Sequence, residues 1–207
     1  CSCGSNESAE KPSAASSDTV AKDSSPATTA AAGSRDNTPV VLTGSADGTV
    51  TYGNDSVTVD ASHTEEGYLM VSYSGSNSKV KLQITGSDEI TYTYNLHDGY
   101  ETFPLTSGSG SYTVGVFENI EGTSYSTLFT QAIDVTIQDE FGPYLYANQY
   151  VNFSADSKVI SKAMELSASA NDDLEVIENV YNYIITNFTY DYDKAASVQS
   201  GYLPDVD

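Results

Sequence analysis

The sequence predicts a mainly β protein with a smaller helical part, preceded by a low-complexity segment. From about residue 38 to residue 140, short runs rich in Val, Thr, Tyr and Ile alternate between polar and apolar side chains. Such alternation is typical of half-buried antiparallel strands, and turn signals separate the runs at the spacing of about 8–12 residues seen in all-β domains. Beyond residue 140 the apolar residues recur at steps of three and four, which indicates helices.

Residues 1–37 form the low-complexity segment. Ala, Ser and Thr supply 20 of these 37 residues, and Leu, Ile, Met, Phe and Tyr are absent. A segment of this composition buries too little apolar surface to offset the entropy lost on ordering. We therefore predict a flexible linker over 1–37.

The β domain is predicted over residues 38–140. Pro104 weakens one candidate strand because it has no amide hydrogen to donate, and Asp47-Gly48, Asp98-Gly99 and Glu121-Gly122 are the predicted turns. About 100 residues with eight or nine strands match the size of an immunoglobulin-like antiparallel β-sandwich. The candidate strands are 40–43, 48–52, 56–60, 68–73, 79–85, 90–94, 102–105, 112–117 and 126–137.

The helical part is predicted over residues 141–207. A first helix begins near Asp156, and a second follows with one apolar stripe along its length. Asn171 or Asp172 is the expected N-cap, and Asp172-x-x-Glu175 is similar to a capping box. The stripe consists of Leu174, Ile177, Tyr181, Ile184, Ile185 and Phe188.

Charge and cysteine content exclude several function classes. The 29 acidic and 8 basic residues give a formal charge of -21, which disfavours nucleic acid as a partner because phosphates are neutralised by Lys and Arg. No apolar run approaches the roughly 20 residues of a membrane-spanning helix. The two cysteines are Cys1 and Cys3, so we expect no disulfide, thiol chemistry, metal or other cofactor in the folded part.

Other candidate sites have simpler interpretations. His63 and His97 are the two histidines, and each lies in a polar, turn-like context that favours an exposed structural role over that of a catalytic base. The acidic pairs Asp172-Asp173, Asp191-x-Asp193 and Asp205-x-Asp207 favour a solvated surface, with helix capping at Asp172, over Ca²⁺ binding. Sugar stacking on tyrosine is a weaker interpretation than packing with a hydrated hydroxyl group; its candidates are Tyr52, Tyr68, Tyr73, Tyr92, Tyr94, Tyr100, Tyr112 and Tyr125.

The N-terminal residues resemble those of a mature bacterial lipoprotein. Cys1-Ser2-Cys3-Gly4-Ser5 is followed by a spacer of small residues. The resemblance implies a lipid attached to Cys1, export, and anchoring at the cell surface through acyl chains that insert into the bilayer. The alternative interpretation is that Cys1 and Cys3 are ordinary residues of a tail.

The second predicted helix and the residues after it resemble the opening of the transglutaminase-like core. The most specific match is Asn187-Phe188-Thr189-Tyr190-Asp191-Tyr192, and residues 195–207 are similar to the loop that precedes the family's nucleophile. The resemblance implies a papain-like thiol enzyme acting on amide bonds of glutamine side chains or peptides. It also implies that the catalytic Cys, His and Asp lie beyond Asp207, so the chain is a truncated part of its parent and holds no catalytic residue.

Two functions are consistent with these observations. In the first, the chain is the N-terminal region of an exported, lipid-anchored transglutaminase-like protein that acts on a protein or peptidoglycan-peptide substrate, and the 141–207 segment is an incomplete domain. In the second, it is a non-catalytic cell-surface binding or adhesion module whose helices pack on the sandwich.

Overall fold

The computed structural model describes residues 33–207. Cys1, Cys3 and most of the predicted linker lie outside the described residues. Within the described part, eight strands form two antiparallel four-stranded sheets, and three α-helices follow them. The prediction of a mainly β fold with additional helices is therefore confirmed.

The strands divide between the sheets in an order that crosses from one sheet to the other. The first sheet has the order β1-β2-β3-β6, and the second has the order β5-β4-β7-β8. The edge strands are therefore β1 and β6 in one sheet, and β5 and β8 in the other. The bounds are β1 Thr51–Gly53, β2 Val57–Asp60, β3 Tyr68–Tyr73, β4 Val80–Thr85, β5 Thr91–Leu96, β6 Gly99–Pro104, β7 Gly110–Glu121 and β8 Ser124–Val135.

One hydrophobic core lies between the two sheets. In β4 the apolar residues Val80, Leu82 and Ile84 are buried while the polar residues between them are half-exposed, as the strict alternation predicts. Leu69 and Val71 of β3 belong to the same core cluster. Because β3 and β4 belong to different sheets, this shared cluster shows that the inner faces of the sheets pack together.

The longest hairpin joins β7 to β8. Gly122 adopts a positive φ of 55° in the turn, so the predicted Glu121-Gly122 turn is confirmed. The ladder continues over almost the whole of both strands, with register shifts at Val116/Phe117 and Asn119/Glu121. β7 (Gly110–Glu121) is therefore longer than the predicted strand 112–117.

β6 shows why a proline is tolerated in a strand. Pro104 pairs with Tyr68 of β3, and β6 has no second neighbour because it is an edge strand. An edge position does not require the amide hydrogen that proline lacks. The weakest predicted strand, 102–105, therefore exists, and it begins earlier, at Gly99.

Of the two strands predicted nearest the linker, the first does not form and the second is shorter than expected. Residues 40–43 form no strand and share a single parallel bridge, between Leu42 and Tyr146. The predicted strand 48–52 is reduced to Thr51–Gly53, because Gly48 turns the chain with a φ of 71°. One bridge gives no ladder of hydrogen bonds, so β propensity alone did not produce a strand at 40–43.

The helices are α1 Lys158–Ser167, α2 Asp173–Asn187 and α3 Tyr192–Ser197. Asp172 is the N-cap of α2, and its side chain accepts a hydrogen bond from the Glu175 amide at 2.9 Å. Glu175 accepts in return from the Asn171 amide at 2.7 Å, one residue before the position expected for a capping box. α3 was not predicted, and its N-cap is Asp191.

The last residues of the predicted linker contact the turn between α1 and α2. The Arg35 Nε atom lies 2.7 Å from an Asp173 carboxylate oxygen. The Asn37 side-chain amide donates to the Ala170 carbonyl at 3.2 Å. Residues 33–37 are therefore attached to the helical part of the molecule.

Candidate functional site

The apolar stripe of α2 is exposed. Three of its residues, Leu174, Ile177 and Phe188, are 72%, 63% and 62% exposed. Tyr181, Ile184 and Ile185 continue the same stripe and are also exposed. An exposed contiguous row of large apolar side chains is uncommon on a soluble protein and marks an interaction surface.

α1 packs on a different face of α2. Val176 and Val180 are half-buried, and the Asn179 side chain donates to the Leu166 carbonyl at 2.9 Å. The Lys162 ammonium lies 5.1 Å from the centre of the Tyr183 ring. Among residues 33–207, therefore, α1 leaves the predicted stripe uncovered.

The charged residues within 171–193 have a single sign. Residues 171–193 contain six acidic residues and no Lys or Arg. Asp172 and Asp191 cap α2 and α3, which agrees with the capping interpretation of the acidic pairs. The segment that carries the exposed stripe is thus acidic, and Arg35 and Lys162 contact it from other segments.

His63 lies between two carboxylates. Its Nε2 atom is 2.9 Å from Asp47 Oδ2, and its Nδ1 atom is 3.2 Å from Glu66 Oε2. Ser45 Oγ also lies 3.2 Å from Nε2. A serine-histidine relay needs an Nε2 that is available to take the serine proton. The nearer Asp47 oxygen already engages that nitrogen, so the arrangement fits a structural cluster.

Two tyrosines complete the surroundings of His63. The imidazole stacks on Tyr68 with ring centres 5.3 Å apart, and Tyr68 packs on Tyr146 at 4.5 Å. The Tyr146 hydroxyl donates to Glu66 at 3.0 Å. His63 is half-buried, so the prediction of an exposed histidine is wrong, and the cluster attaches the segment after β8 to the first sheet.

His97 helps hold the same segment further along the chain. Its Nδ1 atom lies 3.0 Å from Glu101 Oε1. The Gln149 side-chain amide donates to that carboxylate and to the Asn95 carbonyl, both at 2.7 Å. Gln149 therefore bridges β5 and β6, the edge strands of the two sheets.

A groove lies between these two edge strands, and we call it the tyrosine groove. Tyr94 of β5 contacts Phe103 of β6 with ring centres 4.9 Å apart, which shows that the two edges are adjacent. The groove has a volume of about 490 Å³. Its lining residues are Tyr92, Thr93, Tyr94, Pro104, Thr106, Tyr144 and Tyr150.

A second depression continues from the tyrosine groove, and we call it the acidic cleft. It shares Thr106 and Tyr144 with the groove and has a volume of about 610 Å³. Asp139 and Glu140 contribute two carboxylates to its lining. The two depressions therefore adjoin at Thr106 and Tyr144, and aromatic rings line one while carboxylates contribute to the other.

The tyrosines proposed from sequence separate into buried and exposed groups. Tyr68, Tyr73, Tyr94 and Tyr112 are buried, so stacking of a ligand on both faces of these rings is excluded. Tyr92 and Tyr100 are exposed, and Tyr52 and Tyr125 are half-buried. Tyr144 and Tyr150 were missed, because they lie about 50 residues from Tyr92 in a segment without clear periodicity.

Burial raises the pKa of two tyrosines in these surroundings to about 12. For Tyr94, burial is the larger cause, and the neighbouring Tyr150 and Tyr92 add to it. For Tyr146, burial acts together with the hydrogen bond to Glu66. Both hydroxyl groups therefore stay neutral at physiological pH and can act as hydrogen-bond donors.

Residues 33–207 contain no group of three or more His, Cys, Asp or Glu side chains placed to hold a metal ion. No helix in that range has both the length and the apolar content needed to span a bilayer.

No protein-family model, no curated protein and no solved structure matches this chain.

Proposed function

We propose that this chain is the N-terminal region of an exported, lipid-anchored protein with a transglutaminase-like domain. In this proposal the two sheets carry the helical opening of the catalytic core, and the catalytic residues belong to other parts of the parent protein. The observation that carries the proposal is the exposed apolar stripe of α2.

The stripe is the feature that the transglutaminase-like interpretation requires. Burying a large apolar side chain contributes about 1.5–3 kcal/mol, so six such residues on one face are a strong driving force for docking. The helix that carries them leads directly into the Asn187–Tyr192 motif that is similar to the family's core. A remainder of that core would cover the stripe.

The immunoglobulin-like interpretation of the two sheets has support from one tyrosine. Tyr112 lies near the start of β7, and its hydroxyl donates to the Gly108 carbonyl at 2.8 Å. A tyrosine whose hydroxyl bonds to the backbone a few residues upstream is a feature of immunoglobulin-like sandwiches. In such a sandwich β2, β3 and β6 would correspond to one sheet, and β5, β4, β7 and β8 to the other.

The membrane part of the proposal depends on Cys1. A lipid on this residue would anchor the protein at the cell surface, with the small-residue segment as a spacer. Mass spectrometry of protein extracted from membranes should find acyl mass on the N-terminal peptide that contains Cys1. An unmodified N-terminus in that fraction would contradict lipid anchoring.

The gene gives the sharpest test of the enzymatic part. We expect the codons after Asp207 to encode a Gly-x-Cys segment and, further on, a histidine. Protein expressed from that longer reading frame should incorporate dansylcadaverine into a glutamine-containing protein, whereas the 207-residue chain should not. A stop codon directly after Asp207, or amine incorporation by the 207-residue chain, would contradict the proposal.

The tyrosine groove favours the second function, a non-catalytic surface binding module. Concave sites lined by aromatic rings with a few hydroxyl groups are typical of ligand-binding sites. The two functions differ in the surface that they require, because the first depends on α2 and the second on β5 and β6.

A further inference from the structure

We propose that the tyrosine groove and the acidic cleft together bind one ligand, an extended proline-rich peptide segment that carries Lys or Arg at one end. This inference does not depend on the transglutaminase-like interpretation, because the groove lies on the two sheets and the segment after β8.

The groove offers aromatic surface to a ligand. Tyr144 is 66% exposed, and Tyr92 and Tyr150 are each 43% exposed. Tyr94 lies beneath them, buried, with its ring centre 6.0 Å from that of Tyr150. The volume of about 490 Å³ falls within the roughly 300–1,000 Å³ of small-ligand pockets, so the groove has room for a short segment of chain.

These side chains suit a polyproline II conformation. A polyproline II segment has no internal hydrogen bonds, so its carbonyl groups are free to accept from tyrosine and threonine hydroxyls. Its proline rings pack on aromatic walls, which is how proline-rich segments dock in aromatic-lined grooves. The segment is also extended before binding, so little conformational entropy is lost.

The carboxylates of the acidic cleft favour a peptide with a basic end. Among residues 33–207, no Asp, Glu, Lys or Arg lines the tyrosine groove, whereas Asp139 and Glu140 line the acidic cleft. A Lys or Arg of the peptide would reach these carboxylates while the prolines lie on the rings. The formal charge of -21 would also speed the approach of a basic partner.

The segment that contributes Tyr144 and Tyr150 to the groove is held in place before any ligand binds. Gln149 is fixed by its hydrogen bonds to Asn95 and Glu101, and the Tyr150 amide donates to the Asn148 side chain at 3.0 Å. Gly67 lies so close to Pro143 that a Cβ atom there would be 2.5 Å from the ring. A wall held in this way reduces the ordering cost of binding.

Fluorescence anisotropy with the full chain tests the proposal. The probe is a fluorescein-labelled peptide of consecutive prolines followed by two arginines. One comparison peptide ends in two glutamates, and another replaces the prolines by glycine and serine. We expect the proline-arginine peptide to bind at least about tenfold more tightly than either comparison peptide.

Matched variants assign the binding to the groove. Tyr144→Ala and Tyr92→Ala should each weaken binding about fivefold or more, while Tyr190→Ala, which removes an exposed tyrosine elsewhere, should leave it unchanged. Glu140→Gln should weaken binding of the arginine peptide, and Glu178→Gln should not. Circular dichroism and thermal unfolding of each variant verify that the fold is retained.

Three results would overturn the proposal. The first is no binding of the proline-arginine peptide up to millimolar concentration. The second is equal binding of the glutamate peptide, and the third is binding that Tyr92→Ala and Tyr144→Ala leave unchanged. A neutral hexasaccharide that perturbs the NMR signals of the groove while the peptide does not would identify a glycan site instead.

Discussion

Asp60 is a buried carboxylate that organises the loop before β1. It accepts hydrogen bonds from the Gly48 amide at 2.7 Å and from the Ser62 amide at 2.9 Å. Burial acts to raise its pKa, but these hydrogen bonds and the nearby His63 outweigh burial, so the pKa of Asp60 lies below its ordinary value. The ionised form is therefore favoured by folding.

Replacing Asp60 by Asn should destabilise the protein in a pH-dependent way. A carboxylate with a lowered folded pKa stabilises the fold above its unfolded pKa of about 3.9, and this contribution is lost as the pH falls through the folded value. We expect Asp60→Asn to lower the free energy of unfolding by about 1–3 kcal/mol at neutral pH. The difference from wild type should shrink below about pH 4.

Urea unfolding at several pH values measures this difference. Asp134→Asn is the matched control, since Asp134 is exposed on β8. A loss of stability by Asp60→Asn that stays constant down to about pH 2–3, well below the ordinary carboxyl pKa, would contradict the prediction.

Tyr94 and Tyr146 give the corresponding prediction at alkaline pH. Burial raises the pKa of each to about 12, against about 10 for an ordinary tyrosine. Their contribution to stability is complete below about pH 10 and is lost as the pH rises towards 12. Absorbance titration should show one fewer late-ionising tyrosine in Tyr94→Phe than in wild type.

A second variant and a stability measurement accompany the titration. Tyr146→Phe should likewise remove one late-ionising tyrosine. The free energy of unfolding should fall less steeply above pH 10 in Tyr94→Phe than in wild type. Ionisation of all 16 tyrosines in one step would show that burial does not raise these pKa values.

At the scale of single elements, a predicted strand formed where a neighbouring strand pairs with it along its length. The run 79–85 alternates strictly and became β4, which pairs with both β5 and β7. The run 40–43 has similar propensity, yet it found one bridging partner, Tyr146. Pairing depends on distant segments, so propensity alone could not separate these two cases.

The helices show a similar limit, because a sequence pattern does not decide which face of a helix is buried. The spacing of apolar residues identified the stripe along α2, but it did not show whether that stripe is covered. α1 packs on the half-buried face that includes Val176 and Val180, which sequence spacing did not distinguish from the stripe. The tyrosine groove was not predictable for a related reason, because β5 and the segment after β8 meet in space only through the fold.

The exposed stripe makes a prediction about substitutions in α2. Ile177 is 63% exposed, whereas Ile84 in β4 is 2% exposed. We expect Ile177→Gln to change the free energy of unfolding by less than about 0.5 kcal/mol, as for other surface substitutions. By contrast, Ile84→Ala should lower the free energy of unfolding by about 2–5 kcal/mol through lost burial and a cavity.

Chemical denaturation of the two variants provides the comparison. Ile177→Gln should also reduce binding of a hydrophobic dye such as ANS, because it interrupts the exposed stripe. If Ile177→Gln proved as destabilising as Ile84→Ala, the stripe would be buried in solution, for example against a second copy of the chain.

At the scale of the whole molecule, charge repulsion opposes the packing of the two sheets. Within residues 33–207, few acidic residues form ion pairs with Lys or Arg: Arg35 pairs with Asp173, and Lys162 with Glu165. Repulsion among the remaining carboxylates destabilises the compact state. The core between the sheets must therefore supply enough burial to exceed this repulsion.

This balance predicts that salt stabilises the protein. Raising sodium chloride from about 0.01 M to about 1 M shortens the screening length from roughly 30 Å to roughly 3 Å, so repulsion between separated carboxylates is largely removed. For a chain of this size, each kcal/mol gained raises the unfolding temperature by about 2–4 °C. Calorimetry at increasing salt should therefore show a rising midpoint.

The double variant Glu121→Lys and Asp134→Lys, which replaces two exposed acids, should unfold at a higher temperature in low salt and respond less to added salt. A midpoint that is constant or falls with salt in wild type would mean that charge repulsion does not limit the stability of this fold.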